Sequence, residues 1–190
     1  MHNSSVLIKE VWGSLRNLDF SSEFALDATA FYIGIPFLSS SKCYTTDLVF
    51  EEIKHIKKSY YALEALIDAG NLKVIEAEEP YLTEVINIAK KIGDFSKLSF
   101  ADLSILALAR QLKITLISDD YAVENVATLL NIPIKSLGTK GITKVRRWIT
   151  FCRACGKAYR PNVLECMLCG NKLRRRFKKV CSNTNINNKF

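Results

Sequence analysis

The sequence predicts an α/β domain, a parallel sheet with helices on both faces, followed by a small cysteine-bound module. Three observations lead there. Short apolar runs of strand type alternate with amphipathic stretches of about 10–15 residues, the pattern of parallel pairing through crossover helices. Four of the six cysteines form two CxxCG pairs near the C-terminus. The net charge of +8 is not spread evenly: residues 1–148 hold 17 basic and 18 acidic side chains, whereas residues 149–190 hold 10 and 1. With 190 residues, 48% of them apolar, the chain can bury one proper core and a small second unit. No apolar run approaches the ~20 residues that span a bilayer, and MHNSSVLIKE lacks the apolar core of a signal peptide, so a soluble, cytoplasmic protein without a membrane partner is expected.

Taken in order, residues 1–22 are an N-terminal extension whose apolar residues are scattered and interrupted by Gly13. A domain over 23–138 opens with FALDATAFYIGI, a short apolar strand that ends in an acidic residue. TTDLVFEEIKHIKKSYYALEALIDAG reads as one or two helices stopped by Gly70, and NLKVIEA as a strand. PYLTEVINIAKKIG is an amphipathic helix ending at Gly93, and SFADLSILALARQL is another. ITLISDD is a strand, YAVENVATLLN a helix and IPIKSL a strand. Residues 139–149 (TKGITKVRRWI) read as a basic connector, 150–179 as the cysteine module with its basic tail, and 180–190 as a disordered C-terminus.

The cysteines carry the most specific signal. In Cys152-x2-Cys155-x10-Cys166-x2-Cys169 each pair continues into glycine, making a tight knuckle that turns two thiolates toward one point. Two knuckles supply four soft ligands in a tetrahedron, which suits one structural Zn²⁺ per chain and leaves no open position for catalysis. The spacer can hold one hairpin turned at Pro161-Asn162. Disulfides are the alternative, disfavoured without a secretion signal; a redox CxxC would open a helix after a strand, which neither pair does. Cys43 and Cys181 read as free thiols. So short a module cannot fold on its own buried surface, and metal binding supplies its folding energy.

In open parallel sheets, ligands collect at the carboxyl ends of the strands, and here those ends are acidic. Asp27 follows the first strand, and Asp119 with Asp120 follows ITLIS. Two more carboxylates fall on apolar helix stripes: Glu52 aligns with Leu48, Val49 and Ile56, and Asp102 with Ile105, Leu106 and Ala109. A charge on a core-facing stripe is costly without a partner, and no Lys or Arg occupies a matching inward position nearby in sequence. A divalent cation is the economical partner. Each acid also has a plainer reading: Asp102 completes a capping box with Ser99, Asp119 or Asp120 N-caps the next helix, Glu52 reaches water from a frayed turn, and Asp27 is a turn residue. Hard oxygen ligands suit Mg²⁺ or Mn²⁺ acting on a phosphodiester. Neither His2 nor His55 is placed to serve as a base, and there is no Gly-rich phosphate loop.

FALDATAF, TTDLVFEEI, LSFADLSILALA and LISDDYAVEN together resemble the four acidic motifs of the PIN-domain nucleases, in the same order. Followed directly by a four-cysteine ribbon, and with DDYxxxN as the fourth motif, the chain is more narrowly similar to the Nin-one-binding protein family, in its compact archaeal form. The resemblance implies that Asp27, Glu52, Asp102 and Asp120 bind the catalytic metal, with Ser118 adjacent and Asp119 close enough to contribute to catalysis. It implies an endoribonuclease that matures the 3′ end of small-subunit (16S) rRNA by hydrolysis of a single-stranded region, leaving a 3′-hydroxyl and a 5′-phosphate. Its partners would be pre-16S rRNA, the small-subunit precursor and an assembly factor.

The basic excess fits an RNA partner, with Lys144, Arg146, Arg147, Arg174, Arg175, Arg176, Lys178 and Lys179 as the residues expected to hold phosphates. Two other readings stand beside this one. A VapC-class toxin ribonuclease shares the nuclease fold but usually lacks a ribbon. A catalytically silent RNA-binding assembly factor would tend to have lost some of the acids.

Overall fold

The computed structural model describes residues 22–38, 41–54, 60–137, 145–160 and 163–180. The expected extension up to residue 21, the C-terminus from 181, and Lys144, His55, Cys181 and the Pro161-Asn162 turn lie outside the described residues, as do the side chains of 145–147 and 178–180.

Five short strands run parallel: β1 (Phe24–Leu26), β2 (Cys43–Thr45), β3 (Leu72–Val74), β4 (Thr115–Ile117) and β5 (Ile134–Lys135). Their order is β3-β2-β1-β4-β5. β1 and β2 are buried throughout, as strands covered on both faces must be. β2 is absent from the sequence reading because Cys-Tyr-Thr offers no apolar run; its pairing with β1 and β3 makes it a strand. From β1 the chain builds outward to one side, then returns to add β4 on the other. That reversal leaves a crevice beyond the carboxyl ends of β1 and β4, where Leu26 pairs with Ile117.

The helices are α1 (Ala28–Ile33), α2 (Ile35–Leu38), α3 (Asp47–Ile53), α4 (Tyr60–Asp68), α5 (Glu79–Ile92), α6 (Phe100–Leu112) and α7 (Tyr121–Leu129), with a 3₁₀ turn at Phe95–Lys97. FALDATAFYIGI is thus only three residues of strand; Asp27 accepts from Ala28 N, starting α1, and Gly34 ends it at φ 85°. α6 buries eight of its 13 residues. Ser104 Oγ on α6 lies 2.7 Å from Thr46 Oγ1, the N-cap of α3, so the two helices are tied where both approach the crevice. Gly93 closes α5 in the left-handed region, and the Asp94 N–H returns to Ala89 O at 3.1 Å, turning Asp94 inward.

A second sheet, β7-β6-β8, is antiparallel: β6 (Val145–Phe151), β7 (Ala158–Tyr159) and β8 (Arg174–Val180). Residues 145–149, within the stretch expected to be a basic connector over 139–149, form part of strand β6. VRRWITF carries β-branched and aromatic residues and pairs with the basic tail over seven residues. This sheet docks on the first domain through Arg175, which donates to Gly93 O at 2.7 Å. Lys97 Nζ lies 4.2 Å from the centre of the Trp148 ring. Among the described residues, no helix is long and apolar enough to cross a membrane.

Candidate active site

Asp27 stands at the end of β1 and is 4% exposed. Its Oδ1 accepts from Ala28 N at 2.7 Å, and its Oδ2 accepts from Ser118 Oγ at 2.7 Å and Thr29 Oγ1 at 3.4 Å. Ser118 follows β4 and is buried; its Oγ also accepts from Asp120 N at 3.2 Å, linking the two strand ends. Asp120 N-caps α7, its Oδ1 accepting from Ala122 N and Val123 N. Asp102 closes the capping box of α6, its Oδ2 accepting from Ser99 N at 2.7 Å. The capping reading and the cluster reading of these acids are therefore both true, since a carboxylate has two oxygens and one suffices for a cap.

Electrostatics ties the acids together. Burial raises the Asp27 carboxyl above its ordinary value against the Ser118 and Ala28 hydrogen bonds, and the charges of Asp102 and Asp120 raise it further. Burial also raises Asp102, opposed by its bonds to Ser99 and reinforced by Asp120. Glu52 is raised by partial desolvation, then by Asp102 and Asp27. Its expected place on a core-facing stripe is corrected: Glu52 is exposed, because α3 turns Val49 and Ile53 inward and leaves Leu48 at the surface. It belongs to the rim. The described ion pairs, Lys54–Glu51, Lys97–Asp94 and Arg110–Glu84, involve none of these four acids. The donor set therefore fits a hard divalent cation, which would offset mutual repulsion inside the crevice.

The four cysteines converge on one point. Their Sγ atoms lie within 4.8 Å of one another. Cys152 and Cys169 are 3.4 Å apart and Cys155 and Cys166 3.5 Å, near the edge of about 3.8 Å that ~2.3 Å metal–sulfur bonds give a tetrahedron. Each knuckle closes on itself, with Gly156 N donating to Cys152 O and Gly170 N to Cys166 O, both at 2.9 Å. A hydrogen bond from Tyr159 Oη at 3.0 Å is the main cause that pulls the Cys166 thiol down to about 6, favouring the thiolate a metal needs.

Residues 24–112 match the family described as the PIN domain of ribonuclease. The endoribonuclease Nob1 of Pyrococcus abyssi is 38% identical over 80% of this chain and 92% of its own length, more than residues 1–138 can supply, so the likeness runs past the nuclease domain. The chain belongs to the Nob1 endoribonuclease family. Ribonuclease VapC1 of Thermoplasma acidophilum is 35% identical over 70% of each chain. A Nob1 relative from Saccharomyces cerevisiae, 36% identical over 54% of this chain and 22% of its own, is named a 20S-pre-rRNA D-site endonuclease.

In this Nob1 chain the structure separates the remaining candidates. Asp119 Oδ1 accepts from Ser136 Oγ and Leu137 N, each at 2.7 Å, so it secures the segment after β5. Of the basic residues, Arg175 is taken up in docking the ribbon. Arg176 lies over the Phe151 ring at 4.6 Å, while Arg174 is exposed. Backbone register sets Arg146 opposite Lys179 and Arg147 opposite Lys178. Cys43 is buried in β2 with its thiol pushed up to about 11 by burial, which makes it unreactive. The sequence reading includes Asn125 only as the last residue of DDYxxxN and gives Asp94 no role; the two form a buried pair in which Asn125 Nδ2 donates to Asp94 Oδ2 at 2.6 Å. The available signal was an acid directly after a helix-ending glycine.

A raised acid favours its protonated form in the folded state, so its stabilising contribution is present at low pH and is lost as pH rises through the folded value. Without added divalent cation, Asp27→Asn is therefore expected to melt higher than wild type. The gap should widen from pH 4 to pH 7 to about 1 kcal/mol, roughly 2–4 °C. Calorimetry across that range checks it, and a gap independent of pH would count against the repulsive cluster.

Proposed function

We propose that this chain cuts pre-16S rRNA at the mature 3′ end of the small-subunit RNA, holding Mg²⁺ or Mn²⁺ between Asp27, Glu52, Asp102 and Asp120. The observation that carries the reading is the meeting of Asp27 with Ser118 and Asp120 across the β1–β4 crevice, with the Asp102 field acting on Asp27. When bound, the cation supplies Lewis-acid activation of the phosphodiester and of the attacking water. The protein's part is orientation. Ser118 and the backbone of α1 hold the Asp27 carboxylate, while the caps of α6 and α7 aim Asp102 and Asp120. Asp119 acts structurally in this scheme.

The four cysteines hold one structural Zn²⁺, which fastens a basic sheet beside the crevice. The backbone register that sets Arg146 opposite Lys179 and Arg147 opposite Lys178 concentrates basic residues on this sheet, a composition that suits a phosphate backbone. The yeast relative's name points to a small-subunit precursor RNA. We take residues 23–138 as the nuclease domain and place the reaction in the cytoplasm, with an assembly factor helping to present the site. VapC toxins usually lack a ribbon, so the cysteine centre argues for rRNA processing over toxin activity.

The test is the cut position. Incubated with Mn²⁺ and single-stranded RNA spanning the mature 3′ end, the chain is expected to give one dominant cut there, leaving a 3′-hydroxyl and a 5′-phosphate. Equal cutting of unrelated single strands would overturn the rRNA assignment.

A further inference from the structure

The four sulfurs of the cysteine centre do not share one environment. Cys152 and Cys166 are buried, whereas Cys155 and Cys169 are exposed. Each knuckle is closed within itself: Cys152 N donates to Lys157 O and Cys166 N to Asn171 O, both at 2.9 Å. One side chain of the first hairpin reaches across to the second knuckle. Tyr159 follows Gly156 by three residues and lies in β7, where it pairs with Thr150 of β6. Thr150 Oγ1 donates to Arg160 O at 2.8 Å, which secures the pairing beside it. From that place Tyr159 Oη comes within 3.0 Å of Cys166 Sγ.

By geometry alone either atom can donate. Metal binding removes the choice, because a cysteine ligates as its thiolate and then has no proton to give. Tyr159 is the donor in the loaded centre, and the bond is charge-assisted, a class roughly twice as strong as neutral hydrogen bonds. Four thiolates outweigh the charge of one dication, and the excess negative charge is costliest at a buried ligand such as Cys166. Asn171 Nδ2 stands 3.5 Å from Cys169 Sγ, a longer contact at an exposed ligand. A competing chelator reaches the centre first at the exposed sulfurs, Cys155 and Cys169. The Tyr159–Cys166 bond is left as the final hold on the metal.

We propose that Tyr159 is a positioning residue for the ribbon metal, its hydroxyl holding the Cys166 thiolate in place across the two knuckles and setting how fast the metal is lost. The inference rests on reading the four cysteines as a metal centre, and its test needs no RNA. Full-length wild type and Tyr159→Phe are loaded with Zn²⁺ and mixed with excess chelator, and the release rate is measured. Phenylalanine keeps the ring and removes only the hydroxyl. Tyr159→Phe is expected to lose zinc about tenfold faster, the lower end of the effect that removing a metal ligand's own partner has on affinity. Asn171→Ala, beside an exposed ligand, should change the rate less. With Co²⁺ in place of zinc, the sulfur-to-metal charge-transfer band of Tyr159→Phe should move to longer wavelength, because a thiolate without its hydrogen bond releases electron density more readily. A role in packing alone would not move that band. Equal release rates, or an unmoved band, overturns the proposal. If Tyr159→Phe does not fold, wild type loaded with ¹¹³Cd²⁺ decides: magnetic coupling between the metal and a Tyr159 hydroxyl proton sustains the bond, and no coupling overturns it. Wild type that takes up neither Zn²⁺ nor Co²⁺ would overturn the metal reading as well, whereas uptake indifferent to the hydroxyl overturns the role of Tyr159 alone.

Discussion

Asp102→Asn is expected to slow RNA cleavage about 10³-fold while leaving the melting temperature unchanged or higher. The substitution preserves shape: the amide oxygen can still accept from Ser99 N, as Asp102 Oδ2 does at 2.7 Å, so the start of α6 is kept. What disappears is a negative charge aimed at the crevice. Losing about 4 kcal/mol of charge stabilisation in the displacement at phosphorus corresponds to that factor in rate. Folding is spared because the lost charge repelled Asp27, Asp120 and Glu52. Single-turnover cleavage at saturating Mn²⁺, measured beside calorimetry, checks both halves. An unchanged rate would remove Asp102 from the site.

Removal of the ribbon metal should have the second largest effect, confined to one end of the chain. Among the described residues the buried apolar core lies between Phe24 and Leu137, so the nuclease domain has its own source of stability. In the ribbon, the buried residues include Cys152 and Cys166 themselves, together with Thr150. A unit whose interior is made of ligands loses its fold with the metal, whose binding supplies on the order of 10–16 kcal/mol. Chelation, or Cys166→Ser, is therefore expected to abolish amide protection across β6 and β8 while leaving α6 and β1 protected in hydrogen exchange. RNA affinity at moderate salt should fall about 10²-fold as the ordered phosphate contacts are lost. Metal analysis of untreated protein should find one zinc per chain. Protection of β6 that survives chelation would show that the ribbon does not depend on its cysteines.

Legibility in the sequence followed the range of the interaction. The helices α5, α6 and α7 were readable because their apolar periodicity runs for two turns or more and their ends carry local signals such as Gly93 and the Ser99–Asp102 box. β2 was not, since three residues of mixed character become a strand only through neighbours at Phe24 and Leu72. Glu52 falls on a different stripe from the one its neighbours suggest, because a helix of seven residues is too short for its phase to be read from side-chain type. Arg175 reads from the sequence as a phosphate contact, and what the sequence does not show is that its guanidinium also fastens the ribbon to Gly93, a partner 82 residues away.

By itself, the sequence determined the two-part organisation, the cysteine centre and the identity of the acids. Thiolate pairs spaced by two residues and a charge split at one point of the chain are local properties that survive without a fold. Only the tertiary structure decided which acids meet and what else meets them. The strand order brings Asp27 to Ser118 across 91 residues and sets Asp120 beside them. The docked ribbon sets Trp148 against Lys97 beside the buried Asp94. Those encounters depend on burial and strand order, set by the packing of the whole core, so no window of neighbouring residues contains them.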